Sequence, residues 1–358
     1  MTASPSPSPS PSANRYSVER AEFPRHKDRA LSLWRGNLGD ATRNEGKFEW
    51  FYEHSPTGEP LALLLNFADA AGALQPVGIA AVGLRSFLLG GQPIEAGVLV
   101  DLAVSPQHRT LFPALVLQKA MRQAGLAARQ WLYGFPNHKA APVFQRAGYV
   151  KLGAMTRFVR VLRAAEYLVD RAPKSLAVVL GPLVDAAATA RFGALRRTGM
   201  RLHWSDTVEA VALADVDQTP AGPLLRGVRT EEFLRWRFAN VRGRVFSVVN
   251  VHARDGAPAG YWVVRAVDGM LEVHDCAAAL LASPGARNAW NALFAEARER
   301  GFRSVSFECL APAGFISVLR AVGMLPRADR PVFMGLREGG ALAVSVDNTL
   351  LTAADEDE

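Results

Sequence analysis

The stretch Val98–Gly125, VLVDLAVSPQHRTLFPALVLQKAMRQAG, decides the fold class. Val98–Val104 is nearly all apolar, as a strand buried on both faces of a sheet must be. Ser105-Pro106 ends it, and Gln107-His108-Arg109-Thr110-Leu111-Phe112 forms a short basic turn. Past Pro113 a helix is expected that buries Leu115, Val116, Ala120 and Met121. A strand that passes through a basic turn straight into a helix leaves the helix's first N–H groups unpaired, at its positive dipole end. Such a turn suits an anion, phosphate above all.

Working outward, residues 16–163 read as one α+β domain. A helix is expected over His26–Leu33, then an aromatic cluster at Phe48–Tyr52 and a turn at His54–Gly58. Strands are expected at Leu61–Asn66, Val77–Leu84, Val98–Val104, Trp131–Phe135 and Met155–Leu162, with a helix at Ala140–Arg146. Residues 1–13 alternate Ser and Pro, and residues 1–15 read as a disordered tail. Residues 164–199 are rich in Ala and Leu and read as a helical connector. Residues 200–345 repeat the order of the first domain, residue class by residue class. Phe233–Trp236 parallels Phe48–Trp50, Leu271–Cys276 parallels Val98–Leu102 with Asp275 opposite Asp101, and Val318–Met324 parallels Val143–Tyr149. The shared order argues for a diverged internal duplication. Residues 346–358 end in four acidic residues and read as an acidic tail.

Composition narrows the function classes. The chain has 358 residues, 49% apolar and 21% charged, which suits two ordinary globular domains. Its longest apolar stretch, Leu176–Ala190, is broken by Gly181, Pro182 and Asp185, so no membrane span is expected. No charged-then-apolar leader opens the sequence, which points to the cytoplasm. Cys276 and Cys309 fit no disulfide framework and no metal-ligand spacing. The net charge of +7 suits an anionic ligand. Its arginines are scattered, with no long block and no interleaved aromatics, which argues against nucleic acid.

A second segment turns the anion site into something more definite. Asn137-His138-Lys139-Ala140 is followed by Phe144, Gly148 and Tyr149. This spacing, with Val104-Ser105-Pro106 and the turn Arg109–Ala114, resembles the GCN5-related N-acetyltransferase (GNAT) superfamily. The resemblance implies two GNAT-like α+β domains, each a mixed, mostly antiparallel central sheet flanked by helices, the second a degenerate copy. It implies acetyl-CoA, or another acyl-CoA, as co-substrate, no metal, and transfer of the acyl group to an amine such as a small molecule or sugar amine. The implied cofactor contacts are Leu102, Val104, Arg109, Thr110, Leu111, Phe112, Ala114, Asn137 and Phe144. Phe112 stands where the family has glycine, and Phe144 where many relatives have a tyrosine that protonates the departing thiolate.

Phe144 has no hydroxyl, so other residues are candidates for proton transfer. Tyr133, His138 and Tyr149 are candidate acids, while Asp101, His54 and Glu49 are candidate bases or acceptor contacts. Each has a structural reading beside the chemical one. Asn137 can cap the helix after it, Arg109 can be a solvated turn residue, and Tyr149 and Trp50 can be core aromatics. The second domain has no basic turn after Cys276, and Leu310–Pro312 replaces the Asn137 segment. Two other readings share these features: an aminoacyl transferase of the peptidoglycan-bridge type using charged tRNA, and an acyl-CoA-sensing module without turnover. Oligomeric state has no signal in the sequence.

Overall fold

The computed structural model describes residues 15–35, 37–38, 41–164, 183–184, 186–187, 190, 199–208, 223–239, 243–282 and 284–357. All of the expected Ser/Pro tail but Arg15, and nearly all of the expected helical connector, lie outside them. The chain divides into two units, neither of them contiguous. The first is Met1–Leu84, Glu95–Lys151 and Phe333–Gly340; the second is Arg85–Ile94, Leu152–Val332 and Ala341–Glu358.

In the first unit the strands are β1 (Tyr16–Arg20), β2 (Leu61–Ala68), most of β3 (Leu74–Leu89) and of β4 (Gln92–Val104), β5 (Trp131–Gly134) and the end of β13 (Leu325–Leu336). They lie side by side in that order. β1–β2 and β2–β3 are antiparallel, as is β5 with Phe333–Leu336. β4 and β5 run parallel, from Ala96 opposite Trp131 to Leu99 opposite Gly134. A parallel pair needs a crossover, supplied here by α3 (Leu111–Ala128). Its inner face, with Leu117, Met121 and Leu126, joins Leu63, Leu65, Leu99, Leu132 and Phe144 in one apolar cluster. Gly125 lets the helix lie close: a Cβ there would come within 2.8 Å of the Leu132 side chain. α1 (Lys27–Trp34), α2 (Ala41–Lys47) and a π-helical turn at Phe48–Glu53 bury Trp34, Phe48, Phe51 and Tyr52. Phe48 and Tyr52 stack with centroids 5.1 Å apart. The expected aromatic cluster is therefore core.

The second unit repeats the plan. Its strands are ordered β6 (Val150–Val161), β12 (Ser304–Leu310), β11 (Met270–Cys276), β10 (Pro258–Val267), β9 (Ser247–His252) and β7 (Arg201–Ser205). β11 and β12 are parallel, Met270 opposite Ser304 through Val273 opposite Phe307. The crossover helix is α7 (Ala286–Glu299), which follows α5 (Glu231–Phe238) and the single turn α6 (Ala279–Ala282); α8 (Ala313–Ala321) comes after β12. The units differ from the contiguous ranges 16–163 and 200–345 at their last strands. β6 pairs β12 in the second unit, while Phe333–Leu336 of β13 pairs β5 in the first.

The acidic end is not a free tail. Thr349–Thr352 forms β14, antiparallel to β12 and parallel to β8 (Leu225–Gly227). Asp355 is 1% exposed because Arg229 donates to it at 2.9 Å. Four acidic residues in a row read as solvated, and a distant cation overrides that reading. Among the described residues no helix is long and apolar enough to cross a membrane.

Candidate functional site

The first unit's parallel pair stops before its strands do. β5 ends at Gly134, opposite Leu99, while β4 runs on to Val104. Between them, Asp101 adopts φ 55, the left-handed region that L residues rarely visit. Its carboxylate accepts from Lys47 Nζ and from the Tyr52 hydroxyl, each at 2.7 Å, with the pair almost fully buried. Beyond that point a cleft of about 490 Å³ opens between the end of β4 and the chain that follows β5. Leu102 and Val104 line one wall, Asn137, Lys139, Ala140, Pro142 and Val143 another, and Arg109, Thr110, Leu111, Ala114 and Asn37 complete it.

The helix end in this cleft has donors to offer. Thr110 is the N-cap of α3 and its side chain makes no capping bond. Pro113 has no N–H, so the orphan donors of the first turn are the amides of Leu111 and Phe112. Arg109 adds an exposed guanidinium, with Nη2 donating to Asn37 Oδ1 and Nε 3.5 Å from the Val104 carbonyl. Asn137 caps the turn ahead of α4 (Ala141–Arg146), its Oδ1 accepting from the amides of Lys139 and Ala140 at 3.0 Å. That leaves the Asn137 Nδ2 group as its donor to anything in the cleft. Two cations and no carboxylate stand among the lining residues.

Of the nine residues expected to contact a cofactor, Phe112 and Phe144 are not on this lining. Phe112 is 43% exposed and turns toward Tyr16, ring centroids 6.0 Å apart. A bulky residue thus occupies the glycine position with its ring directed off the cleft, joining Tyr16 and His108, whose hydroxyl and Nδ1 are 2.9 Å apart. Phe144 is buried in the helix–sheet core against Tyr149 and Phe333. No sequence signal singled out Asn37, which lies 72 positions from Arg109.

The candidate proton-transfer residues are dispersed. Tyr149 is 2% exposed, its hydroxyl finds no partner among the described residues, and burial pushes its pKa far up. Tyr133 is fully buried, stacked on Trp131 and edge-on to Phe135. His138 is exposed on the loop before α4. His54 Nδ1 lies 2.8 Å from the Glu49 carbonyl, outside the cleft. None of these, nor Asp101, is among the lining residues.

In the second unit the equivalent wedge is filled. Past Val273 and Phe307, β12 pairs with β14, Cys309 opposite Thr352 and Leu310 opposite Leu351. Asp275, two residues beyond the last parallel pair as Asp101 is, accepts from Arg229 Nε at 2.9 Å, Thr352 Oγ1 at 2.7 Å and the Tyr261 hydroxyl at 3.2 Å. Burial and the neighbouring carboxylate push the Cys276 thiol up, which makes it inert. Among the described residues no cluster of His, Cys, Asp or Glu could hold a metal.

No family model matches the sequence, and no curated protein matches it. Solved structures do match. A probable N-acyltransferase from Enterococcus faecalis gives a TM-score of 0.62 at 12% identity, over 90% of this chain and 72% of that one. A GCN5-related N-acetyltransferase from Anabaena variabilis gives 0.60 at 10% identity, over 90% and 73%. A tandem GNAT protein of the clavulanic acid pathway gives 0.51 at 14% identity, over 90% and 100%. At these identities the likeness is one of fold, and the fold is the GNAT fold in tandem arrangement.

Proposed function

We propose that the first unit binds an acyl-CoA in the cleft between β4 and β5 and transfers its acyl group to an amine. The observation that carries this reading is the composition of one cavity: unpaired amides at a helix N-terminus, Arg109 and Lys139, and a strand edge that β5 leaves open beyond Leu99. The amides of Leu111 and Phe112, with Arg109, suit a pyrophosphate. The open edge of β4 suits the amide-bearing pantetheine arm, which can pair with it as a short added strand. The neighbours described as N-acyltransferases support the reading at the level of fold.

Aminolysis joins the amine nitrogen to the acyl carbon and breaks the C–S bond; the amine loses a proton and the thiolate gains one. The cleft lining holds no carboxylate, imidazole or phenol. Thioesters have a good leaving group, so holding the two reactants together supplies much of the acceleration. The proton then passes through solvent, and the amine must arrive neutral. Acetyl-CoA is the starting acyl donor, and small amines and sugar amines are the acceptors to try.

Titration calorimetry with acetyl-CoA and longer acyl-CoAs tests the binding half, and thiol release against a panel of amines, sugar amines and peptides tests transfer. Binding with thiol release from at least one acceptor class is expected. No binding of any acyl-CoA overturns the proposal. Binding without release selects a sensing module instead, a reading favoured by Phe144 and by the shut-in hydroxyl of Tyr149.

A further inference from the structure

We infer that Asn37 is the positioning residue for Arg109, and that its neutrality sets the strength of the anion site; this rests on the acyl-CoA reading of the cleft. Asn37 sits just past α1 and is held there by its backbone, whose N–H donates to the Trp34 carbonyl at 2.9 Å. Its side chain is held too. Nδ2 donates to the Leu33 carbonyl at 2.7 Å, which fixes the amide orientation and leaves Oδ1 facing Arg109. The second carbonyl partner of Arg109, Val104, is at the long limit of a hydrogen bond, 3.5 Å. Asn37 is therefore the main restraint on an exposed guanidinium, and both residues line the cleft.

The chemistry of position 37 matters for a reason beyond restraint. An amide oxygen orients a guanidinium without cancelling its charge. A carboxylate in the same place forms an ion pair with it and competes with the ligand's phosphates for the same donors. Alanine removes the restraint and leaves the charge. The two substitutions thus separate orientation from charge, since both equally lose the bond to the Leu33 carbonyl.

The test uses the full chain and two probes, acetyl-CoA and S-acetylpantetheine, which lacks the pyrophosphate. Asn37→Ala is expected to weaken acetyl-CoA about threefold and Asn37→Asp about thirtyfold, in line with loss of a restraint against loss of a charge-assisted contact. Both variants are expected to bind S-acetylpantetheine within about twofold of wild type. On an Arg109→Gln background the effect of Asn37→Ala should disappear, which carries the test if Asn37→Asp does not fold. Equal weakening by Ala and Asp, equal losses on both probes, or an undiminished Asn37→Ala effect on that background each overturn the inference alone. A wild-type chain that binds neither probe overturns the acyl-CoA reading and this inference with it.

Discussion

Replacing Arg109 by glutamate reverses one of the cleft's two positive charges, and the size of the effect can be worked from the contacts. The guanidinium gives one bond to Asn37 and a marginal one to Val104, which leaves its other donors for an anion. One or two charge-assisted bonds to phosphate contribute about 3 kcal/mol, at about 1.5–3 kcal/mol each. A glutamate facing the same phosphate adds roughly 1 kcal/mol of repulsion at a separation near 4 Å with solvent-like screening. The sum, about 4 kcal/mol, is a weakening of roughly 1,000-fold. Arg109 is exposed and makes no core contact, so the fold itself should change by less than about 0.5 kcal/mol. Calorimetry with acetyl-CoA measures the first number and a urea midpoint the second. An affinity within about threefold of wild type, with an unchanged midpoint, refutes the assignment of Arg109 to the anion and moves it to Lys139.

Two further outcomes concern the second unit. Arg229→Met strands the buried carboxylates of Asp275 and Asp355 without their cation, and the expected cost is about 3–5 kcal/mol in a urea titration; a cost below about 1 kcal/mol would mean the network does not anchor the C-terminal strand. Glu272 is held down to about 2, first by its hydrogen bond with His274 and further by Arg265, against the opposing effect of burial. Its folded value lies below its unfolded one, so its stabilisation is present above the unfolded value, about 4.3, and lost as pH falls toward about 2. Glu272→Gln should therefore flatten the acid limb of the stability profile between those values, and an unchanged limb would exclude the group.

The strand, turn and α3 were legible because each carries a local signal: a continuous apolar run, two prolines, a helical period. The wall contributed by Asn137–Val143 was legible in its spacing. What was not legible depends on partners far along the chain. Asn37 and Arg109 are 72 positions apart, and Asp355 and Arg229 are 126 apart. Tyr149 shows the limit of spacing as evidence. Its position follows the motif, but the ring that a Gly335 Cβ would touch at 3.2 Å is packed into the core, where its hydroxyl can exchange no proton with a ligand. Phe112 shows the converse, since a residue type that looks obstructive turns its ring to Tyr16 and is not among the cleft's lining residues.

The duplication supplies its own control on why one cleft stays open. Both units hold a parallel strand pair of four registered residues, and both place a buried carboxylate two residues beyond it, Asp101 with Lys47 and Tyr52, Asp275 with Arg229 and Tyr261. Past that point the backbone of a diverging strand has donors and acceptors that must be met by something. In the second unit β14 meets them on β12, and Thr352 reaches Asp275 itself. With the wedge filled from within, no basic turn is needed, and residues 282–285 carry no cation. In the first unit no strand among the described residues fills the wedge, and the turn that closes it carries Arg109 together with a helix start that has amides to spare. The two copies thus differ at the same sheet edge: in the second unit the chain itself fills it, and in the first a basic turn stands beside it.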